Sequence, residues 1–258
     1  MILTIDKEKV MKRFGRSISS YNGEALVQKR MARKLMQKIM DLGITNHQRI
    51  LEIGCGTGFL THELLENFRP GYYMINDLVG TMQFEIEKIT LAHEFAHWSF
   101  APGDAEMLTF PGDFDMVVST STIQWFQHPA SFFSSIVRSM ASGSIIAFST
   151  FGKDNFMEIK VLQGVCLKYP SMEELHSWLS SSFEMLHCSE EIIQLHFETP
   201  WDVLKHIRHT GVNSISDKHW NRRDLSNFEA KYNELYANPD SSVSLTYHPI
   251  IVIARKNK

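Results

Sequence analysis

Glu52-Ile53-Gly54-Cys55-Gly56-Thr57-Gly58 decides how this 258-residue chain is read. Just upstream, Arg49-Ile50-Leu51-Glu52-Ile53 is a short apolar run of the kind that forms a buried strand, and Phe59 to Asn67 downstream reads as helix. Glycines at 54, 56 and 58 let the chain turn sharply out of the strand and bring bare backbone against a ligand, with a helix amino terminus opening behind them. The spacing is G-x-G-x-G. Phe59 stands where the dinucleotide fingerprint places its third glycine, which argues against NAD.

Working outward, Pro70-Gly71 precedes a second strand, Tyr72-Tyr73-Met74-Ile75, capped by Asn76-Asp77. A helix-like stretch from about Val79 to His93 leads to the aromatic run Trp98-Ser99-Phe100 and the turn Pro102-Gly103-Asp104. Phe114 to Ser119 reads as a further strand, Ser131 to Met140 as helix, and Gly143 to Thr150 as strand. On the amino-terminal side, Val27, Met31, Leu35, Ile39 and Leu42 recur at helical spacing before Gly43. The alternation predicts an α/β, Rossmann-like fold with a mostly parallel sheet and helices on both faces. After Gly152, Glu184 to Phe197 and Val243 to Ala254 look strand-like, and the segment between them is helical, charged and aromatic. The expectation is one domain: a helical cap at 1–48, a cofactor-binding core at 49–152, and a sheet edge at 153–258. That edge is expected to carry a helical insertion at about 200–242 and an antiparallel last strand.

Hydrophobic residues at 43% supply a core, which excludes wholesale disorder. A net charge of −3 leaves nothing to draw the whole molecule onto nucleic acid or an anionic membrane. Asp6, Lys7, Glu8 and Lys9 stand where a secretory leader needs an apolar run, and no segment has spanning length, so a cytoplasmic protein is expected. Cys55, Cys166 and Cys188 form no C-x-x-C pair and suit reduced thiols.

Asp77 is spaced from the turn so that its carboxylate can accept hydrogen bonds from both hydroxyls of a ribose. Asp104 follows the third strand, where an acid can take an adenine amine and a backbone N–H can meet a ring nitrogen. Three consecutive strand ends then face one adenosine. The expected cofactor-binding set is Tyr21, Glu52, Gly54, Cys55, Gly56, Gly58, Asp77, Leu78, Asp104, Ala105 and Ser119.

Turn, ribose acid and adenine acid, in that order, resemble the Rossmann-like S-adenosylmethionine-dependent methyltransferases. Longer strings resemble one subfamily, the malonyl-acyl-carrier-protein O-methyltransferases of biotin synthesis. They are Phe14-Gly15-Arg16-Ser17 with Tyr21 and Gln28, Ser121-Thr122-Ile123-Gln124-Trp125, Phe148-Ser149-Thr150-Phe151-Gly152, His209-Thr210-Gly211-Val212-Asn213 and Leu245-Thr246-Tyr247-His248-Pro249. The resemblance implies methyl transfer to the free carboxylate of a malonyl thioester, on acyl carrier protein or coenzyme A, with S-adenosylhomocysteine as the other product. A carboxylate with a pKa of about 4 is already ionised at neutral pH, so no acid or base residue is nominated. Positioning is assigned instead to Tyr21, Gln124, Trp125 and Arg208, the last because a guanidinium fork grips a carboxylate at two points. Lys29, Arg30, Arg33, Lys34 and Lys38 recur along successive turns of one helix, a local positive surface on which an acidic carrier protein could dock.

His93-Glu94-Phe95-Ala96-His97 satisfies H-E-x-x-H, the zinc-hydrolase pattern. It falls where a helix ends and a strand begins, with no third ligand following, so no metal is expected. Other readings stay open: a methyltransferase acting on another small molecule, a non-catalytic assembly protein of the same fold, and the zinc hydrolase.

Overall fold

The strand and helix alternation around the glycine turn is present in a computed structural model, which describes residues 5–45, 47–164, 167–210 and 221–258. The chain runs through α1 (Lys7–Glu24), α2 (Leu26–Asp41), β1 (Arg49–Ile53), α3 (Phe59–Asn67), β2 (Tyr72–Asp77), α4 (Gln83–Ala92), β3 (Trp98–Pro102), β4 (Phe114–Thr120) and α5 (Pro129–Ile136). It continues through β5 (Met140–Phe151), α6 (Met157–Gln163), α7 (Met172–Leu179), β6 (Phe183–Glu190), β7 (Ile193–Phe197), α8 (Pro200–His209), α9 (Arg222–Tyr236), β8 (Val243–Tyr247) and β9 (Pro249–Lys256). Two compact units are formed. One holds Leu26–Thr150, Ser171–Ser189 and Ile250–Lys258; the other holds Met1–Ala25, Phe151–Pro170 and Glu190–Pro249.

The first unit is built on a seven-stranded sheet in the order β3-β2-β1-β4-β5-β9-β6. β1 pairs in parallel with β2 and β4, β2 with β3, and β4 with β5. Successive strands step away from β1 on one side and from β4 on the other. The carboxyl ends of these two strands are therefore the switch point at which open α/β sheets bind ligands. Leu51, Ile53, Phe114, Val117, Phe133 and Phe148 share one core, with the rings of Phe133 and Phe148 5.1 Å apart. Truncating a buried phenylalanine of this kind costs about 3–5 kcal/mol. α2 buries the predicted stripe of Val27, Met31, Leu35 and Ile39. β5 starts earlier than the apolar run suggests because its pairing with β4 shifts register between Phe114 and Met116, close to Gly143 at φ 72°.

In the second unit β7 and β8 pair antiparallel, Ile193 opposite Tyr247 and Phe197 opposite Val243. Thr199 caps α8 by accepting the Asp202 N–H, and Asn221 with Asp224 forms a capping box for α9. The Tyr232 hydroxyl donates to the Ser244 carbonyl at 2.8 Å. Here the sequence expectation needs correcting. Each of the long strand-like stretches is two strands serving different sheets, and the insertion carries the β7-β8 pair as well as helices. The second break has a local cause: the N–H of His248 donates to the Asn155 side chain and its carbonyl takes the Gly152 N–H, so the main chain of this residue joins neither ladder. Cys166 and residues 211–220, including Gly211, Val212 and Asn213, lie outside the described residues. Among the described residues, no helix is long and apolar enough to cross a membrane.

Candidate functional site

Gly54 leaves β1 at φ 69°, and Gly58 caps α3 at φ 87°, a left-handed conformation in which a side chain is strained. Space reinforces the choice. A Cβ at Gly54 would overlap the Thr122 side chain, and one at Gly58 would overlap Cδ1 of Ile89. Thr122 is there because its hydroxyl donates to the carbonyl of Gly54 at 3.1 Å.

The ends of β1, β2 and β3 are stitched together by Asn76. Its main-chain carbonyl accepts the N–H groups of Gly54 (2.9 Å) and Cys55 (3.0 Å). Its side-chain amide donates to the carbonyls of Ala101 (2.7 Å) and Gly103 (3.0 Å), and the Gly103 N–H returns to the Asp77 carbonyl at 2.9 Å. Sequence reasoning treated Asn76 as no more than a strand cap. The signal was an amide side chain one residue before the predicted ribose acid.

Asp77 ends β2 almost dry, 6% exposed. Its Oδ2 accepts the Gly56 N–H at 2.8 Å and its Oδ1 the Val79 N–H at 2.7 Å. Burial raises its pKa to about 6, against the lowering effect of the Val79 and Gly56 N–H groups. Oδ1 retains a lone pair beyond its backbone bond, and the second contact of Oδ2 is only the weak 3.9 Å approach of the Cys55 thiol, an acceptor arrangement that suits a ribose diol. Asp104 follows β3 and accepts the Glu106 N–H at 3.1 Å. Glu106, absent from the predicted set, accepts the N–H groups of Gln127 (2.8 Å) and His128 (2.6 Å) and so fixes the segment after Trp125. Leu78 is half-buried, and Ala105 belongs to the core.

Several nominated side chains have partners inside the protein. Oε2 of Glu52 accepts from the Thr61 hydroxyl at 2.7 Å and from the Tyr73 hydroxyl, while its Oε1 is buried with no partner among the described residues. Burial dominates its pKa, which is pushed up to about 7 against those two donors. The Cys55 thiol is buried and held well above its usual pKa, by burial first and then by the nearby Asp77 and Glu52 charges, which makes it inert. Ser119 donates to the Ile53 carbonyl at 2.8 Å and staples β4 to β1. Gln124 donates to the Ser121 carbonyl at 2.6 Å and accepts from Thr150 at 3.3 Å, next to half-buried Trp125.

Gln28 on α2 has a buried Oε1 without a partner among the described residues. Its neighbours on that helix reach the turn region, Lys29 lying 5.0 Å over the Phe59 ring and Met31 accepting from Ser121. Unsatisfied buried oxygens at Glu52, which leads into the glycine turn, and at Gln28 on α2 fit a ligand carrying donors. On the positive face of α2, Arg33 pairs with Glu63 at 3.0 Å and Lys38 with Asp41 at 3.2 Å, while Arg30 is exposed.

In the second unit, Tyr21 is buried on α1 with its ring 4.9 Å from Phe14, and Arg208 is exposed near the end of α8. Buried His206, two residues before Arg208, pairs through Nδ1 with Glu24 at 3.1 Å and through Nε2 with the Tyr247 hydroxyl at 2.8 Å. The H-E-x-x-H string makes no helical pair, because α4 stops at Ala92 and Glu94 takes φ 52°.

Comparisons with known proteins follow the same lines. A family model described as a methyltransferase domain matches residues 51–148. The malonyl-acyl-carrier-protein O-methyltransferase of Haemophilus influenzae is 33% identical over 98% of this chain and 96% of its own length. That of Bacteroides thetaiotaomicron is 39% identical over 98% of this chain and 100% of its own. The Bacteroides fragilis protein of that name is 40% identical, and this chain spans 50% of its length. Among solved structures, the N-methyltransferase NodS from Bradyrhizobium japonicum, in complex with S-adenosyl-L-homocysteine, aligns with a TM-score of 0.59 at 12% identity, covering 97% of this chain and 100% of that one. The YcgJ protein of Bacillus subtilis aligns at 0.60 with 15% identity, covering 87% and 99%. At such identities the likeness concerns the fold.

Proposed function

The chain belongs to the malonyl-acyl-carrier-protein O-methyltransferase family, and from that premise we propose that it transfers a methyl group from S-adenosylmethionine to the free carboxylate of a malonyl thioester. The observation that carries the cofactor half is the nearly dry Asp77 carboxylate at the end of β2, bonded to the turn that Gly54 and Gly58 make possible. When bound, the cofactor supplies an electrophilic sulfonium methyl. Asp77 holds the ribose hydroxyls, Asp104 and the Ala105 backbone meet the adenine, and Gln28 and Glu52 offer acceptors to the donors of the bound molecule.

Substrate handling is positioning rather than proton transfer, since the attacking carboxylate is already ionised. Orientation and removal of water can supply on the order of 7–11 kcal/mol of such a barrier. Arg208 orients the carboxylate, Tyr21 and Trp125 border the reacting groups, and Gln124 holds the β4–α5 segment in shape. The ester product has lost its charge, which is what a chain-elongating enzyme needs in order to treat it as an ordinary acyl group. The α2 face that carries Lys29, Arg30, Arg33, Lys34 and Lys38 docks an acidic carrier protein, the enzyme acts in the cytoplasm, and the chain works as one catalytic domain.

Purified protein is to be titrated with S-adenosylhomocysteine by calorimetry and assayed with malonyl-carrier protein and malonyl-coenzyme A. Saturable one-to-one binding and a methyl ester on either thioester support the reading. Binding without methylation of either would move the substrate elsewhere, and no binding would remove the cofactor assignment. A single cooperative thermal transition supports one working domain; two separable transitions would contradict it.

A further inference from the structure

His93 begins a zinc-like string that the fold does not make helical, and it meets two side chains of α3 instead. His62 and Glu66 lie one helical turn apart, so they share a face of α3. His62 Nδ1 is 2.9 Å from His93 Nε2, and Glu66 Oε1 is 3.9 Å from the same nitrogen. One ligand atom from each of the three lies within 4.8 Å of the others. Tetrahedral zinc, with its ligands at about 2.0–2.1 Å, holds donor atoms roughly 3.3 Å apart. The two measured separations fall on either side of that value, and small side-chain rotations reconcile them. The neighbouring cation, Arg69, is directed at the main-chain carbonyls of Leu65 (3.2 Å) and His93 (3.5 Å).

We propose that His62, Glu66 and His93 form a site for a zinc-class divalent transition metal, with a fourth position left to water. Two borderline imidazoles with one hard carboxylate make a donor set that suits zinc, nickel or copper, whereas magnesium and calcium call for oxygen ligands throughout. The metal joins α3, which starts at Gly58, to the end of α4, whose Ile86 and Ile89 already abut that glycine. It acts as a clamp between two helices and takes no part in the reaction.

The test uses tag-free full-length protein stripped with a chelator and titrated with zinc chloride by calorimetry and thermal melting. One zinc per chain is expected. Free zinc about 100-fold above its dissociation constant should raise the Tm by roughly 5–10 °C. His62→Ala and His93→Ala should each weaken binding by more than the roughly 10–100-fold that loss of an outer partner costs. Glu66→Gln weakens it too, and His97→Ala leaves it unchanged. Circular dichroism confirms that each variant is folded. Absence of one-to-one saturation overturns the site, as does binding that survives both histidine replacements. Loss of binding in His97→Ala would return the metal to the H-E-x-x-H string.

Discussion

Oδ2 of Asp77 accepts the N–H of Gly56 at 2.8 Å, so the acid that ends β2 also fixes the turn that follows β1. In the proposed cofactor placement, removing its charge acts on the turn and on the ribose together. Asp77→Asn keeps one carboxyl-like acceptor and the fold, but gives up charge-assisted bonds worth about 1.5–3 kcal/mol. S-adenosylhomocysteine should bind roughly ten- to hundredfold more weakly by calorimetry. Unchanged affinity would mean that the ribose sits elsewhere.

Glu52 predicts an unusual pH response. Its folded pKa of about 7 lies above the ordinary 4.5, so the folded state keeps a proton that the unfolded chain releases in between. Its contribution is fully present below pH 4.5 and is lost as pH rises through 7, an effect of about 3 kcal/mol. Asp77, at about 6 against 3.8, acts in the same direction. Urea unfolding at pH 5 and pH 8 should show that Glu52→Gln, which has no proton to lose, is less penalised at the higher pH than the parent. Parallel losses in the two proteins would contradict the assignment.

Gly54→Ala meets two separate costs, a left-handed φ of 69° and the Thr122 side chain. Together these should destabilise the protein by about 2–4 kcal/mol. Adding Thr122→Ala recovers the steric share and leaves the backbone share of about 1–2 kcal/mol. A fully restored double variant would show that the backbone conformation carries no strain.

Arg208→Ala should raise the KM for a malonyl thioester about tenfold, the size of one charge-assisted bond, with the KM for the cofactor unchanged. Equal rises in both would show that the substitution disturbs the fold and not the substrate.

Charge reversal at Arg30 and Arg33 should raise the KM for malonyl-carrier protein and leave that for malonyl-coenzyme A alone, with the difference shrinking at high salt. Reversal at Arg33 also removes its ion pair with Glu63, so Arg30→Glu is measured singly as well. Turnover of the carrier protein unchanged in both variants would rule out docking on this face.

The path from β1 through the turn to Asp77 and Asp104 was legible because its determinants are local: an apolar run, three glycines and acids at strand ends, all between Arg49 and Asp104. What was missed depends on partners far along the chain. Gln124 is read for its place after β4, and the bond its Oε1 accepts from Thr150, 26 residues away, has no local signal. The pairing of His62 with His93 spans 31 residues, and no spacing rule anticipates it. Likewise Val243 to Ala254 is apolar throughout, and only the Asn155 and Gly152 contacts of His248 divide it between two sheets.

Asn76, through its main-chain carbonyl and its side-chain amide, makes the loops at the carboxyl ends of β1, β2 and β3 a single cassette for anyone wishing to re-engineer the enzyme. Altering the path of the 101–103 stretch alone strands the amide of Asn76, and altering the β1 turn alone takes from its main-chain carbonyl the Gly54 and Cys55 N–H groups, whereas exchanging all three segments together preserves every bond. Libraries aimed at altered cofactors should be assembled from whole blocks, not from independently randomised positions.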